Sequence, residues 1–179
     1  MPEADLRAGD MQFLPYDDDS FDLVAGFGAF FFAADMVAAL REAGRVCRPG
    51  APVVIQVWGA PQRCDHEAVK AVVRPLLPAR PPGAPPEPAL WEPGVLERMA
   101  AEAGLHPQRT FRRRYAFEYP DGQTLGRRIV AAAGIAVLAG PAREASVRAQ
   151  IVDALAAQRT ADGGYRLHNE FHYLVATAP

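Results

Sequence analysis

Only two cysteines occur in the chain, Cys47 and Cys64, and neither has the spacing to histidine that a structural metal site uses. The sequence is therefore read as carrying free thiols in a reducing compartment, and a cytoplasmic location is expected. No basic stretch followed by an apolar one opens the sequence, so no secretory signal is read. The longest apolar runs, VAGFGAFFFAA and IVAAAGIAVLAG, are too short and too rich in Gly and Ala to span a bilayer. Net positive charge is lacking too: the formal charge is -2, which argues against nucleic acid as the main partner. What is present is a core. Half of the 179 residues are apolar, which excludes overall disorder and suits one domain.

The apolar pattern alternates between strand and helix. FDLVAGF, bounded by turn residues and closing near Gly28, has the length of a buried parallel strand. Asp35 then opens a helix in which Met36, Leu40, Ala43 and Cys47 recur at helical spacing, with Gly50 as its stop and Arg45 and Arg48 near its negative end. VVIQVW, residues 53–58, is a second apolar strand, so the three elements form a βαβ unit. DHEAVKAVVR reads as a short helix that Pro75 ends near Arg74. Eight of the 17 prolines fall between Pro75 and Pro93, a stiff exposed connection or a lid. A further helix is expected with Pro93 in its first turn and Gly104 at its end. TFRRRYAFEYP alternates, Phe111, Tyr115, Phe117 and Tyr119 sharing one face and Arg112, Arg114 and Glu118 the other, as an edge or antiparallel strand does. Two helices over 121–139 and 141–159, the ADGG break and a last strand over 171–177 complete the reading. The fold class is α/β, a mostly parallel sheet with an antiparallel C-terminal strand.

GDMQFLPYDDDSFDLV followed by LREAGRVCRPGAPVVIQVW resembles the class I S-adenosylmethionine-dependent methyltransferases of the small-molecule, Rossmann-like branch. In that branch a Gly-Asp pair and a Leu-Pro-aromatic turn lead through Ser-Phe-Asp into one strand, and a helix ending in Arg-Val-x-Arg-Pro-Gly leads to the next. LERMAAEAGL and the basic alternating strand after it look like the family's last helix and sixth strand. The resemblance covers most of the chain and is weaker over 121–164, which is read as a helical insertion in a single partial domain over 1–179. It implies S-adenosylmethionine as cofactor, a small organic molecule as methyl acceptor, and no membrane or nucleic-acid partner. It puts Asp10 on the adenine amine and the Met11 amide on the ring nitrogen, a donor–acceptor pairing that a carboxylate beside a backbone N–H satisfies. Leu14 would cover the ring, and Gly26 and Phe27 would line the methionine end, at the carboxyl end of their strand. Phe31 and Trp58 are the candidates for the acceptor pocket; Phe30, Phe31 and Phe32 face either that pocket or the core.

Two parts of the family's pattern are absent from the sequence: the Gly-rich loop after the first strand and the acidic residue that ends the second. GFGAFF has G-x-G, yet Phe31 stands where a dinucleotide fingerprint needs its third Gly. PEADLRAGDM reads as the end of a segment, so an internal or misassigned start at Met1 is expected, with a Gly-rich loop encoded in frame upstream. Alternatively the chain is a non-catalytic remnant or partner subunit, with an open sheet edge that favours a homodimer. An oxidoreductase is the third reading, and the failed fingerprint counts against it.

Other candidates have plainer readings beside them. Asp17, Asp18 and Asp19 could hold a metal, but such a run is more often a solvated turn, and no metal is expected. His66 could be a general base or an exposed residue near a helix start. His168 and His172 lack a third ligand at the usual spacing. Arg112, Arg113 and Arg114 suit the wet face of an edge strand, and Cys47 a helix's apolar side. Methyl transfer needs placement more than acid–base help, so no catalytic residue is named.

Overall fold

The computed structural model describes residues 4–79, 86–132 and 134–179. Its strands are β1 (Val24–Phe27), β2 (Pro52–Trp58), β3 (His106–Tyr119) and β4 (Tyr165–Thr177), in one sheet of order β1-β2-β4-β3. The helices are α1 (Met36–Val46), α2 (Glu67–Val73), α3 (Val95–Glu102), α4 (Gly122–Ala132), α5 (Ile135–Ala139) and α6 (Pro141–Ala154). β1 and β2 pair in parallel, Phe27 opposite Gln56, while β2 and β4 pair antiparallel, Trp58 opposite Phe171. The contacts Gln108–Thr177, Phe111–Tyr173 and Glu118–Arg166 run in opposite senses along β3 and β4, so that pair is antiparallel as well. The result is the α/β sheet expected, with its antiparallel C-terminal strand, but it is mixed rather than mostly parallel: among the described residues only the β1–β2 pair is parallel.

The chain divides into two compact units. The first takes residues 1–59, 88–113 and 171–179, and carries β1, α1, β2 and α3. α1 starts where Asp35 accepts the Ala38 N–H at 3.0 Å, a side-chain cap worth about 1 kcal/mol. Its buried stripe of Met36, Ala39, Leu40 and Ala43 packs with Val53, Ile55, Val57, Leu96, Ala100 and Leu174 in one core. Gly44 permits the close approach there, since a Cβ on it would sit 2.9 Å from Leu105 Cδ2.

The second unit takes 60–87 and 114–170. Val69 of α2, Leu125 and Ile129 of α4, Ile135 of α5, Val147 and Ile151 of α6, and Leu167 form its core. The segment 121–164 lies wholly within this unit.

Several boundaries differ from those expected. α1 stops at Val46, not at Gly50; Arg48-Pro49-Gly50-Ala51 is instead a turn, closed by the Ala51 N–H on Arg48 O, with Gly50 at φ 75°. Pro93 precedes α3, which begins only after Gly94 at φ 80°. The helix expected over 121–139 is broken at Gly134, φ 62°. β3 begins at His106 and β4 at Tyr165, both earlier than expected, because cross-strand pairing recruits residues whose own apolar pattern is weak. Nearly every residue of β3 is exposed, so its aromatic residues do not make one buried face; only Phe111 and Tyr119 are partly covered. The proline-rich connection includes residues 80–85, which lie outside the described residues, as does the start at Met1.

Candidate functional site

Loop 9–20 is fastened to α1 by side chains. Glu42 accepts the Leu14 N–H on Oε1 at 2.8 Å and binds Arg45 through both oxygens, Oε1 to Nη2 at 2.6 Å and Oε2 to Nε at 2.8 Å. Arg45 Nη2 also donates to Leu14 O at 3.2 Å and Tyr16 O at 2.9 Å, and Nη1 reaches Asp18 at 2.5 Å. The hydrogen bond from Arg45 holds the Glu42 carboxyl below its usual range; burial opposes this and the Leu14 N–H adds to it. Glu42 and then Asp18 hold the Arg45 guanidinium above its usual value. Nearer the front of the loop, Gln12 Oε1 accepts the Asp35 N–H at 2.7 Å, tying the loop to the start of α1.

That frame sets the candidate adenine contacts. Asp10 is exposed; its Oδ1 accepts the Gln12 N–H at 2.9 Å and its Oδ2 the Gln12 side-chain amide at 3.3 Å. Both oxygens keep further lone pairs for a ligand. The Asp10 carbonyl accepts the Phe13 N–H at 2.9 Å, which closes the turn. The Met11 N–H makes no hydrogen bond among the described residues, and the Met11 side chain packs on the core of its unit. Leu14 is half-buried. Carboxylate and unengaged amide are thus adjacent on one rigid turn.

β1 ends at Gly26 and Phe27, the strand end at which the resemblance puts them. Phe27 is 65% exposed, whereas Gly26 is buried beneath the Phe30 ring, and a Cβ there would lie 2.2 Å from Phe30 Cε2. Phe30 is therefore core. Phe31 is half-buried with its ring centroid 4.6 Å from that of Phe32, itself 71% exposed. Trp58 closes β2 and lies 4.9 Å from Phe171, ring to ring.

The remaining candidates resolve as follows. Asp18 pairs with Arg45, Asp19 sits in the left-handed region at φ 56°, and Asp17 O accepts the Ser20 hydroxyl, so the acidic run is a structured turn. No group of three or more metal-type ligands occurs among the described residues. His66 is half-buried rather than exposed; burial, with Lys70 adding and Glu67 opposing, pushes its pKa down to about 4. Its N–H donates to Asn169 Oδ1, and Asp65 accepts the His168 N–H at 2.6 Å. His172 is buried with Nδ1 3.1 Å from Leu90 O. Arg112 donates to Trp91 O, and Arg113 lies over Phe111. Cys47 is buried, and burial raises its pKa. Gln12 and Glu42 were missed as site residues. Glu42 and Arg45 stand three apart on one helix, a spacing that signals a pair but not the distant loop it holds.

Known proteins bear on this frame. Residues 2–55 match the methyltransferase-domain family model. Uncharacterized proteins of Mycobacterium tuberculosis (strain ATCC 25618 / H37Rv) and Mycobacterium bovis (strain ATCC BAA-935 / AF2122/97) are each 38% identical over 82 residues, 45% of this chain. The chain matches only 28% of the length of these curated relatives. A solved structure from Bacillus halodurans C-125, described as a candidate methyltransferase, aligns with TM-score 0.56 and 17% identity over 96% of this chain and 76% of that one. The YcgJ protein of Bacillus subtilis aligns with TM-score 0.54 and 17% identity over 96% and 70%. At such identities the likeness is one of fold. The matched segment builds the loop, β1, α1 and the start of β2, and the solved structures share the α/β fold of this chain.

Proposed function

We propose that this chain serves S-adenosylmethionine-dependent methyl transfer to a small organic acceptor. The observation that carries the reading is the Asp10–Met11 turn. A carboxylate and an N–H with no partner among the described residues stand side by side on a loop locked to α1 through Gln12, Glu42 and Arg45. That pair fits the adenine edge: Asp10 accepts from the exocyclic amine, Met11 donates to the ring nitrogen, and Leu14 covers the ring. Gly26 and Phe27 close the far end, with Phe31 and Trp58 as pocket walls. When bound, the cofactor supplies an electrophilic methyl group on a sulfonium; the protein's part is to orient acceptor and methyl in line and to exclude water. The free, buried thiols support a reducing, cytoplasmic setting, and no helix among the described residues is long and apolar enough to cross a membrane.

One observation favours a second reading, a non-catalytic homodimeric subunit. The G-x-G of β1 cannot act as a ligand-cradling loop, because the Phe30 ring fills the space over Gly26. β1 also ends the sheet order, with Leu23 and Phe27 exposed, so a second copy could pair there. Titration calorimetry with S-adenosylhomocysteine, run beside a solution mass measurement, separates the two. Micromolar binding that Asp10→Ala weakens supports the methyltransferase reading. A folded dimer that does not bind supports the second.

A further inference from the structure

Gln56 sits in the middle of β2, among Val53, Val54, Ile55, Val57 and Trp58. Side chains alternate along a strand. Val53, Ile55 and Val57 enter the core with α1 and α3, which leaves Val54, Gln56 and Trp58 on the opposite face. The register places Phe27 of β1 on one side of Gln56 and Tyr173 of β4 on the other. Phe27 is exposed, and the Tyr173 ring stacks on Phe111 at 4.9 Å with 4° between planes. Gln56 is thus a lone amide in an aromatic row.

Gln56 is 8% exposed, its carboxamide makes no hydrogen bond among the described residues, and its polar atoms are not among the fully buried unpaired ones, so water reaches the amide. An amide held by water alone can exchange that water for a polar group of a ligand. Gly28 stands beside it. Its N–H donates to Gln56 O at 3.1 Å, its φ is 63°, and a Cβ on it would lie 3.7 Å from Gln56 Oε1. A residue with no side chain therefore borders the carboxamide, just past the carboxyl end of β1, where the proposed cofactor's reacting end is held.

We infer that Gln56 reads the methyl acceptor, and that the acceptor is a planar aromatic molecule carrying a neutral hydroxyl or amide. This rests on the methyltransferase reading. A carboxamide offers one acceptor oxygen and one donor amine, so only a group that both donates and accepts satisfies it. Phe27 and Tyr173 supply apolar surface for a flat ring on either side. A carboxylate in the same place would meet one donor and the carboxamide's own oxygen, and would lose its hydration.

The test uses the full chain with glutamine side chains labelled with nitrogen-15, the Gln56 resonance being assigned from Gln56→Leu. Phenol, benzamide, benzoate and toluene are titrated in turn, with S-adenosylhomocysteine binding measured on the same samples. Phenol and benzamide should shift the Gln56 side-chain amide signals and bind about fivefold tighter than toluene or benzoate, the yield of one net hydrogen bond. Gln56→Leu should erase that preference. Gln56→Glu, which keeps the size and loses the amine, should also erase it and serves if the leucine variant does not fold. Unmoved Gln56 signals, or an unchanged preference in either folded variant, overturn the inference. If S-adenosylhomocysteine binds while the probes do not, the inference fails and the methyltransferase reading stands. If the probes bind with the expected preference and S-adenosylhomocysteine does not, the methyltransferase reading fails instead and Gln56 remains a binding site.

Discussion

Glu42 and Arg45, one turn apart on α1, share two hydrogen bonds of 2.6 and 2.8 Å, and between them hold the backbone of Leu14 and Tyr16. A helix thereby fixes a loop that has no regular structure of its own. The carboxylate is mostly buried and the loop contacts are charge-assisted, so the pair is stiffer than an exposed ion pair would be.

The first prediction concerns acid. Arg45 keeps the Glu42 carboxyl below its ordinary range, so the folded chain takes up that proton less readily than the unfolded one. The resulting stability is fully present above the ordinary carboxylate range and is lost as pH falls through the depressed folded value. Glu42→Gln should lower the urea midpoint at neutral pH and flatten its fall between about pH 5 and pH 3. An identical pH profile in both proteins would show that the pair contributes nothing.

A second acid effect has a different origin. His66 titrates near 4 in the folded chain, below its ordinary 6.5, because burial disfavours the charged ring. A depressed histidine contributes stability above the unfolded value and loses it as pH falls from there toward the folded value. Carbon-13 or proton NMR should place the His66 midpoint near 4, and His66→Gln should remove the loss of stability between 6.5 and 4. A midpoint at or above 6.5 contradicts the burial of this ring.

Asp10 is exposed, and among the described residues its side-chain bonds are confined to Gln12. Asp10→Ala should leave the thermal midpoint within a degree or two, an exposed-site effect, yet weaken S-adenosylhomocysteine by about ten- to a hundredfold, the loss expected for a hydrogen bond to a charged group. Differential scanning calorimetry and binding titration check the two halves.

Gly26 is required by the packing of the Phe30 ring over it. Gly26→Ala should cost about 1–3 kcal/mol, because the new methyl overlaps the Phe30 ring. Phe30→Leu in the same chain should recover part of the loss in urea melts. If Gly26→Ala changes cofactor affinity without changing stability, the G-x-G is a binding loop after all.

Much of the architecture was legible because apolar runs and caps are local. Asp35 marks the start of α1, and VVIQVW could be little other than a buried strand. The turn at Gly50 was mistaken for a helix stop, since a positive-φ glycine serves both ends. β3 and β4 were read short because their outer halves are held by pairing with each other. At the candidate site, Asp10 and Met11 came from a resemblance, and their neighbourhood on one turn is visible in the chain itself. Gln12 and the loop-holding role of Glu42 were not, because their partners lie 23 and 28 residues away. Gln56 was passed over as one polar residue in an apolar strand.

The central claim is that the Asp10–Met11 turn receives an adenine ring. Amide NMR of the chain during titration with S-adenosylhomocysteine tests it directly, with the Met11 N–H as reporter. A downfield shift of Met11 that saturates with the calorimetric affinity, and is absent in Asp10→Ala at the same concentrations, is the predicted result. Saturable binding that leaves the Met11 signal in place contradicts the account and moves the cofactor site elsewhere in the chain.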